Sequence, residues 1–251
     1  MIEVVAVLTA FLLSSGDLPV RATDVPARFE ARLGSRPVWV ARERTTATEA
    51  LRRGELTETQ IENIRSRMES TSRWRATTHG ASDDGRCAAL FAGYIADGGD
   101  DNFAVGSLSA LREVAPSRTV MAGRVVAVRP GFHNGQPFSV IAIDRPAAST
   151  VYLLYPYARV EVDGSLICNA DPSFADLPRL GEPIAFVASA PFDATQRLYY
   201  VRGDRIFYER DSAVVSAPAL AMDPDLLNVR SLGQLLEQLH PERPPSPRER
   251  E

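Results

Sequence analysis

Between Val120 and Phe207 the apolar residues come in short runs separated by turn-forming pairs, and this alternation predicts most of the chain's structure. The first run, Val120 to Arg129, is apolar on both alternating faces. Val120, Ala122, Val126 and Val128 form one set, and Met121, Gly123, Val125 and Ala127 the other. A strand covered on both sides reads this way. Gly123 inside it predicts a bulge or a sharp coil, which a small barrel needs in order to close. Asn134-Gly135 is a hairpin pair, because both central positions of a type I′ turn require positive φ. Ser139 to Asp144 is the returning strand and Val151 to Tyr157 a third, with Pro156 predicting an edge or bend. Ala158 to Val162 and Ser165 to Cys168 flank a second hairpin pair, Asp163-Gly164. Pro183 to Ala188, Leu198 to Val201 and Arg205 to Tyr208 complete the block, the last returning from Gly203-Asp204. The expected architecture is mainly β: a small OB-like barrel of five to seven strands, closed or nearly so, with flanking helices.

Helical periodicity appears at three places. Ser107 to Val114 places Leu108 and Leu111 on one side and ends before Pro116. Thr57 and Gln60 have capping-box spacing, followed by Ile61, Ile64 and Met68 on one face, which predicts an amphipathic helix from Glu62 to about Ser70. Ser231 and Gln234 repeat that spacing before the stripe Leu232, Leu235, Leu236, Leu239, which stops at His240-Pro241. Pro37 to Arg42 is a short strand candidate, and Cys87 to Ile95 is an apolar run that must be buried as strand or helix.

The N-terminus is apolar from Val4 to Leu13 apart from Thr9. That is too short to span a bilayer but fits a secretory signal peptide, with Gly16 and Ala22 as small residues at cleavage points. Glu3, where a positive charge is expected, departs from the pattern. The division that follows is a signal peptide over 1–22, an α/β extension over 23–106, the barrel over 107–221, a helix over 222–240 and a Pro- and charge-rich disordered tail over 241–251. The expected location is secreted or periplasmic. The alternative is a cytoplasmic domain whose first strand is the apolar run.

The stretches LREVAPSRTVMAGRVVAV, PGFHNGQPFSVIAID and LPRLGEPIAFVA resemble the strand order of exported OB-like barrels, including the netrin-like kind. The resemblance covers about 107–208. It implies a short helix leading into a long first strand with a central glycine. The chain departs from the netrin-like pattern in having two cysteines and none at its N-terminus, and no catalytic or binding residue carries over.

Composition narrows the chemistry. The formal net charge of the 251 residues is −4, and no concentrated basic face points to nucleic acid. All 28 basic residues are Arg, so a catalytic or phosphate-binding lysine is excluded. Cys87 and Cys168 are too few for a zinc site; they suit either one bridge or two small buried hydrophobes. His79, His133 and His240 lack metal-ligand spacing, and no nucleophile elbow is present. No cofactor is expected. The cluster Asp97 to Asn102 lacks the spacing of a calcium loop and reads as a turn.

A hydrolytic site, if there is one, would use His79 with Asp83 or Asp84, in the 76–102 loop. Strand aromatics beside arginines suggest a stacking surface, with Arg129, Tyr155, Tyr157 and Arg159 as the ligand-binding candidates; the plainer alternative is that the rings fill the barrel. Arg202-Gly203-Asp204 spells an adhesion tripeptide but sits where a hairpin tip is expected. The reading that follows is a non-catalytic binding or interaction module, not transmembrane, with a protein or glycan partner outside the cytoplasm. A hydrolase and an envelope-associated structural subunit are the alternatives.

Overall fold

The computed structural model describes residues 25–31, 37–66, 88–89, 106–146, 148–170 and 174–239. In chain order the elements are β1 (Arg28–Phe29), β2 (Val38–Val40), β3 (Arg44–Thr45), α1 (Ala47–Arg52), a helix α2 over 58–66, β4 (Ala88–Ala89) and α3 (Leu108–Val114). Then come β5 (Thr119–His133), β6 (Gln136–Asp144), β7 (Val151–Tyr155), β8 (Tyr157–Val162), β9 (Ser165–Ala170) and β10 (Pro183–Ala188). The chain continues with β11 (Leu198–Tyr199), β12 (Ile206–Arg210), β13 (Ala213–Ser216), α4 (Pro224–Leu227) and α5 (Leu232–Leu239). No helix among the described residues is long and apolar enough to cross a membrane.

The fold is mainly β. One sheet runs β11-β7-β6-β5-β10-β12-β13, with β2 and then β1 added beside the far half of β5. The strands β5, β6, β7, β10 and β12 all supply one core, which includes Val125, Ile141, Leu153, Ile184, Phe186 and Ile206, so the sheet curls around it. Among the described residues, backbone pairing does not join its ends, because β11 and β13 close the order on either side. The strands next to those ends, β7 and β12, hold a common segment instead. The Tyr155 hydroxyl of β7 donates to Ala175 O at 2.7 Å, and the Tyr208 hydroxyl of β12 donates to Asp176 O at 2.8 Å. Arg210 of β12 adds a bond to Leu177 O at 3.1 Å and a 2.6 Å ion pair with Glu182. Burial, foremost, pushes the Tyr208 phenol up to about 12. Burial also works against the Glu182 carboxylate, but the hydrogen bonds from Arg210 and the Arg179 amide outweigh it and hold that group below the ordinary range.

The turns follow the sequence. Asn134-Gly135 and Asp163-Gly164 have positive φ at both residues and close the β5–β6 and β8–β9 hairpins. A third such turn, Asp211-Ser212, joins β12 to β13. That strand is not among the predicted ones, since the pair lacks the glycine that signals a type I′ turn.

Two expectations need correction. First, the bulge lies not at Gly123 but between Val125 and Ala127, leaving Val126 without a partner on β6. Period-two counting therefore fails beyond it: Met121, Val125 and Val128 all meet the inner core, while Val120 and Ala122 meet an outer one. Gly123 has a different reason to be glycine. A Cβ there would stand 2.2 Å from Asp144 O and 2.7 Å from Ile143 Cγ2.

Second, β8 and β9 are not part of the curled sheet. They belong to a separate sheet ordered β3-β8-β9-β4, in which β3 runs parallel to β8 and β4 parallel to β9. The switch is at Pro156, which has no amide hydrogen to continue the β6–β7 ladder. Ser139 Oγ marks the corner by donating to Tyr157 O at 2.5 Å. Before 107, β1 and β2 join the curled sheet, β2 pairing with β5. Cys168, on β9, is disulfide-bonded, and Cys87, the residue before β4, is the only other cysteine of the chain.

Outer faces of the curled sheet are covered too. Leu108 and Leu111 of α3 and the whole leucine stripe of α5 pack over Ala185, Val187 and Phe207. Phe29 and Val38 pack with Phe138, Val140, Leu154 and Phe192 over β6 and β7. The expected C-terminal helix is α5, covering an outer wall.

The first capping box forms in full and the second by half, the Gln234 side chain taking the Arg230 amide at 2.8 Å rather than that of Ser231. Thr57 Oγ1 accepts from the Gln60 amide at 3.3 Å, and Gln60 reaches back to the Thr57 amide at 2.9 Å, so α2 begins four residues earlier than expected. Ser231 Oγ accepts from the Gln234 amide at 3.2 Å. Further caps come from far along the chain. Glu209 takes the Leu232 amide of α5 at 3.0 Å, and Asp163 takes the Ala47 amide of α1 at 3.0 Å.

Asp223 caps two helices at once, accepting from Leu108 of α3 and from Asp225 and Leu226 of α4. The Leu108 amide, foremost, holds its carboxyl below the ordinary range. Asp223→Ala is expected to cost about 1–2 kcal/mol in urea unfolding at neutral pH. A depressed carboxyl stabilises the fold fully above its unfolded pKa and stops doing so as pH falls through the folded one. The gap between variant and parent should therefore shrink on acidification, and a gap that is unchanged at acid pH would refute the cap.

Candidate functional site

The hydrolytic candidates His79, Asp83 and Asp84 lie outside the described residues, as does the cluster Asp97 to Asn102. Among the described residues no group of three or more His, Cys, Asp and Glu side chains could hold a metal ion.

The four ligand-binding candidates do not come together. Arg129 pairs with Val140 and so shares its face of the sheet, whereas Tyr155 pairs with Ser139, which points the opposite way. Tyr155 is only 1% exposed and packs edge-on against Phe174, so it is a core residue rather than part of a surface. Tyr157 is half-buried against the same core, and Arg159 is exposed on β8 in the second sheet. The other strand aromatics are absorbed as well. Tyr152 meets Phe29, Tyr199 meets Phe186, and Tyr200 lies beside Phe174 and Phe192. The plainer alternative for these rings, that they fill the core and cover its outer wall, accounts for their positions.

Arg202-Gly203-Asp204 is not a hairpin tip. Gly203, Asp204 and Arg205 form a buried 3-10 turn, and Arg202 pairs with Asp204 at 3.4 Å. Such a turn cannot offer an adhesion tripeptide to a receptor.

A concave feature lies over the second sheet, between α1 and α2. Its construction starts with capping. Thr46 Oγ1 accepts from the Glu49 amide at 3.1 Å, and the Asp163 carboxylate closes the first turn of α1. Thr46 and Glu49 have capping-box spacing themselves, a signal that would have revealed α1 from the sequence. At the other end Arg53 pairs with Glu49 and Glu55, each at 2.8 Å, and donates to Thr45 Oγ1 at 2.9 Å. Burial, foremost, raises the Glu55 pKa despite Arg53. The turn that follows delivers Thr57 directly to its own cap, so α1 and α2 form a braced helical hairpin over β8 and β9. Ala47, Ala50, Leu56, Ile61 and Ile64 bury their side chains there with Val160, Val162 and Ile167.

The helices leave an open cleft of about 530 Å³ between them. Ala47, Leu51 and Ile61 form its apolar part, with Glu58, Glu62 and Arg65 among the polar residues. A second hollow of about 200 Å³ shares Ile61 and Arg65 and extends to Val162 and Asp163 at the β8–β9 turn. Leu51 is 37% exposed, an aliphatic side chain left at the edge of the cleft. Arg65, where the two hollows meet, is 58% exposed and lies 3.9 Å from Glu62 and 4.0 Å from Asp163, at the outer limit of an ion pair. Among the described residues no aromatic side chain lines either hollow. Among the described residues, aliphatic contact and carboxylate pairing are what this surface offers.

Compared with protein-family models, with curated proteins and with solved structures, the chain finds no match.

Proposed function

We propose that this chain is a non-catalytic interaction module working outside the cytoplasm: an OB-like barrel that serves as scaffold for the α1–α2 hairpin, whose cleft holds a partner. The observation that carries the reading is the cleft itself, open and edged by Leu51, on a molecule whose curled sheet is covered on its outer faces. The OB-like description draws support from the meander β5-β6-β7, from β10 on the other edge of β5, and from the tyrosines of β7 and β12 that grip one segment. Export through residues 1–22 is supported by the Cys168 disulfide, since such bonds persist in oxidising compartments.

Site-specific photocrosslinking in the native host tests the function. A benzophenone side chain at position 51 should give a discrete higher-mass adduct. The same group at Met222, which is 81% exposed and distant in sequence from the cleft, should not. Absence of an adduct at position 51 would remove the basis of the reading.

A further inference from the structure

Resting on that reading, we infer that the cleft's occupant is a segment of a partner protein carrying an aliphatic side chain flanked by Arg or Lys. The volume of about 530 Å³ is within the range of specific binding clefts and large enough for a few side chains. Its apolar part is aliphatic, from Ala47, Leu51 and Ile61. A glycan would call for an aromatic ring to stack upon, and among the described residues none lines the cleft. The charge around it is one-sided. Glu58 and Glu62 line the cleft and Asp163 the adjoining hollow, three carboxylates against the guanidinium of Arg65 among the described lining residues. Arg65 holds two of them only at the limit of pairing, so they keep most of their attraction for an incoming cation. Glu58 and Glu62 are exposed, and neither caps α2, a task done by Thr57 and Gln60. Their charges are therefore open to recognition. A segment with an aliphatic anchor between two basic side chains matches both the floor and the rim.

The probe is a random twelve-residue peptide library displayed on phage and selected on the folded, oxidised full chain. Selected peptides are then made as fluorescent conjugates and titrated against the parent, Leu51→Asp and the double variant Glu58→Gln with Glu62→Gln, each checked for an unchanged melting temperature. Enriched peptides should carry an excess of Arg and Lys around an aliphatic residue. They should lose binding on Leu51→Asp and weaken about fivefold to tenfold on the double variant. Their affinity should also fall as salt rises. Peptides that need Leu51 but show no basic excess and ignore the double variant would overturn the charge assignment and leave the interaction module standing. Failure to recover any Leu51-dependent peptide would overturn both.

Discussion

Reducing the Cys168 disulfide is expected to lower the stability of the folded chain by about 4–5 kcal/mol, a fall in melting temperature of roughly 10–15 °C. With Cys87 as its only available partner, the bond closes a loop of about 80 residues, and constraint of the unfolded chain grows with loop length. The local structure gives a second reason. Among the described residues β4 pairs with β9 through two residues, Ala88 with Ile167 and Ala89 with Cys168. So short a parallel ladder has little hold of its own, and its register coincides with the cysteine. The effect should therefore concentrate there: amides of β9 should lose hydrogen-exchange protection on reduction before those of β5 and β6 do. Thermal melts of the oxidised protein, of the reduced protein and of a Cys87→Ser, Cys168→Ser double variant provide the measurement. Equal melting temperatures in all three would show that the bond constrains nothing. The same experiment bears on location, since a chain that loses this much stability on reduction works best where thiols are oxidised.

Gly123→Ala is expected to destabilise the fold by about 3 kcal/mol or more, an unusually large cost for adding one methyl group. The added carbon would meet a backbone carbonyl, Asp144 O, at 2.2 Å, and a carbonyl fixed in the chain cannot swing aside as a flexible side chain can. Either β5 or the end of β6 must move, and Met121 and Val125 on β5, with Ile143 on β6, all contribute to the inner core. Two controls separate this from the general cost of replacing glycine. At Gly106, among the described residues, no atom beyond its chain neighbours lies within 4 Å of where a methyl group would sit, so Gly106→Ala should be nearly neutral. Gly164 is equally open but has a φ of +76°, so Gly164→Ala should cost about 1 kcal/mol from backbone strain alone. Urea titrations of the three variants rank them. If Gly123→Ala fell with the controls, close approach would not be what this glycine permits.

Much of the local structure was legible in the sequence. Asn134-Gly135 and Asp163-Gly164 turn where expected, and Thr57 with Gln60 and Ser231 with Gln234 cap the helices that they announce. The stripe Leu232, Leu235, Leu236 and Leu239 is buried as its spacing requires. The candidate site was not legible. Its first helix had a readable cap in Thr46 and Glu49, but nothing in the spacing of Leu51, Glu58 and Asp163 says that they edge adjoining hollows. The proposed stacking residues failed for a related reason. Whether a strand tyrosine faces solvent depends on what covers the sheet, and here the covering elements come from both ends of the chain.

Sequence by itself determined the turns, the local caps, the helical stripes and the predominance of strands, because each rests on bonds and periodicities spanning a few residues. Tertiary structure alone decided that β8 and β9 leave the curled sheet at Pro156, that Asp163, Glu209 and Asp223 cap distant helices, and that Tyr155 and Tyr208 hold one segment between them. Those outcomes depend on donors and acceptors that meet only after the chain has folded, when a buried amide or hydroxyl must find a partner wherever the packing brings one.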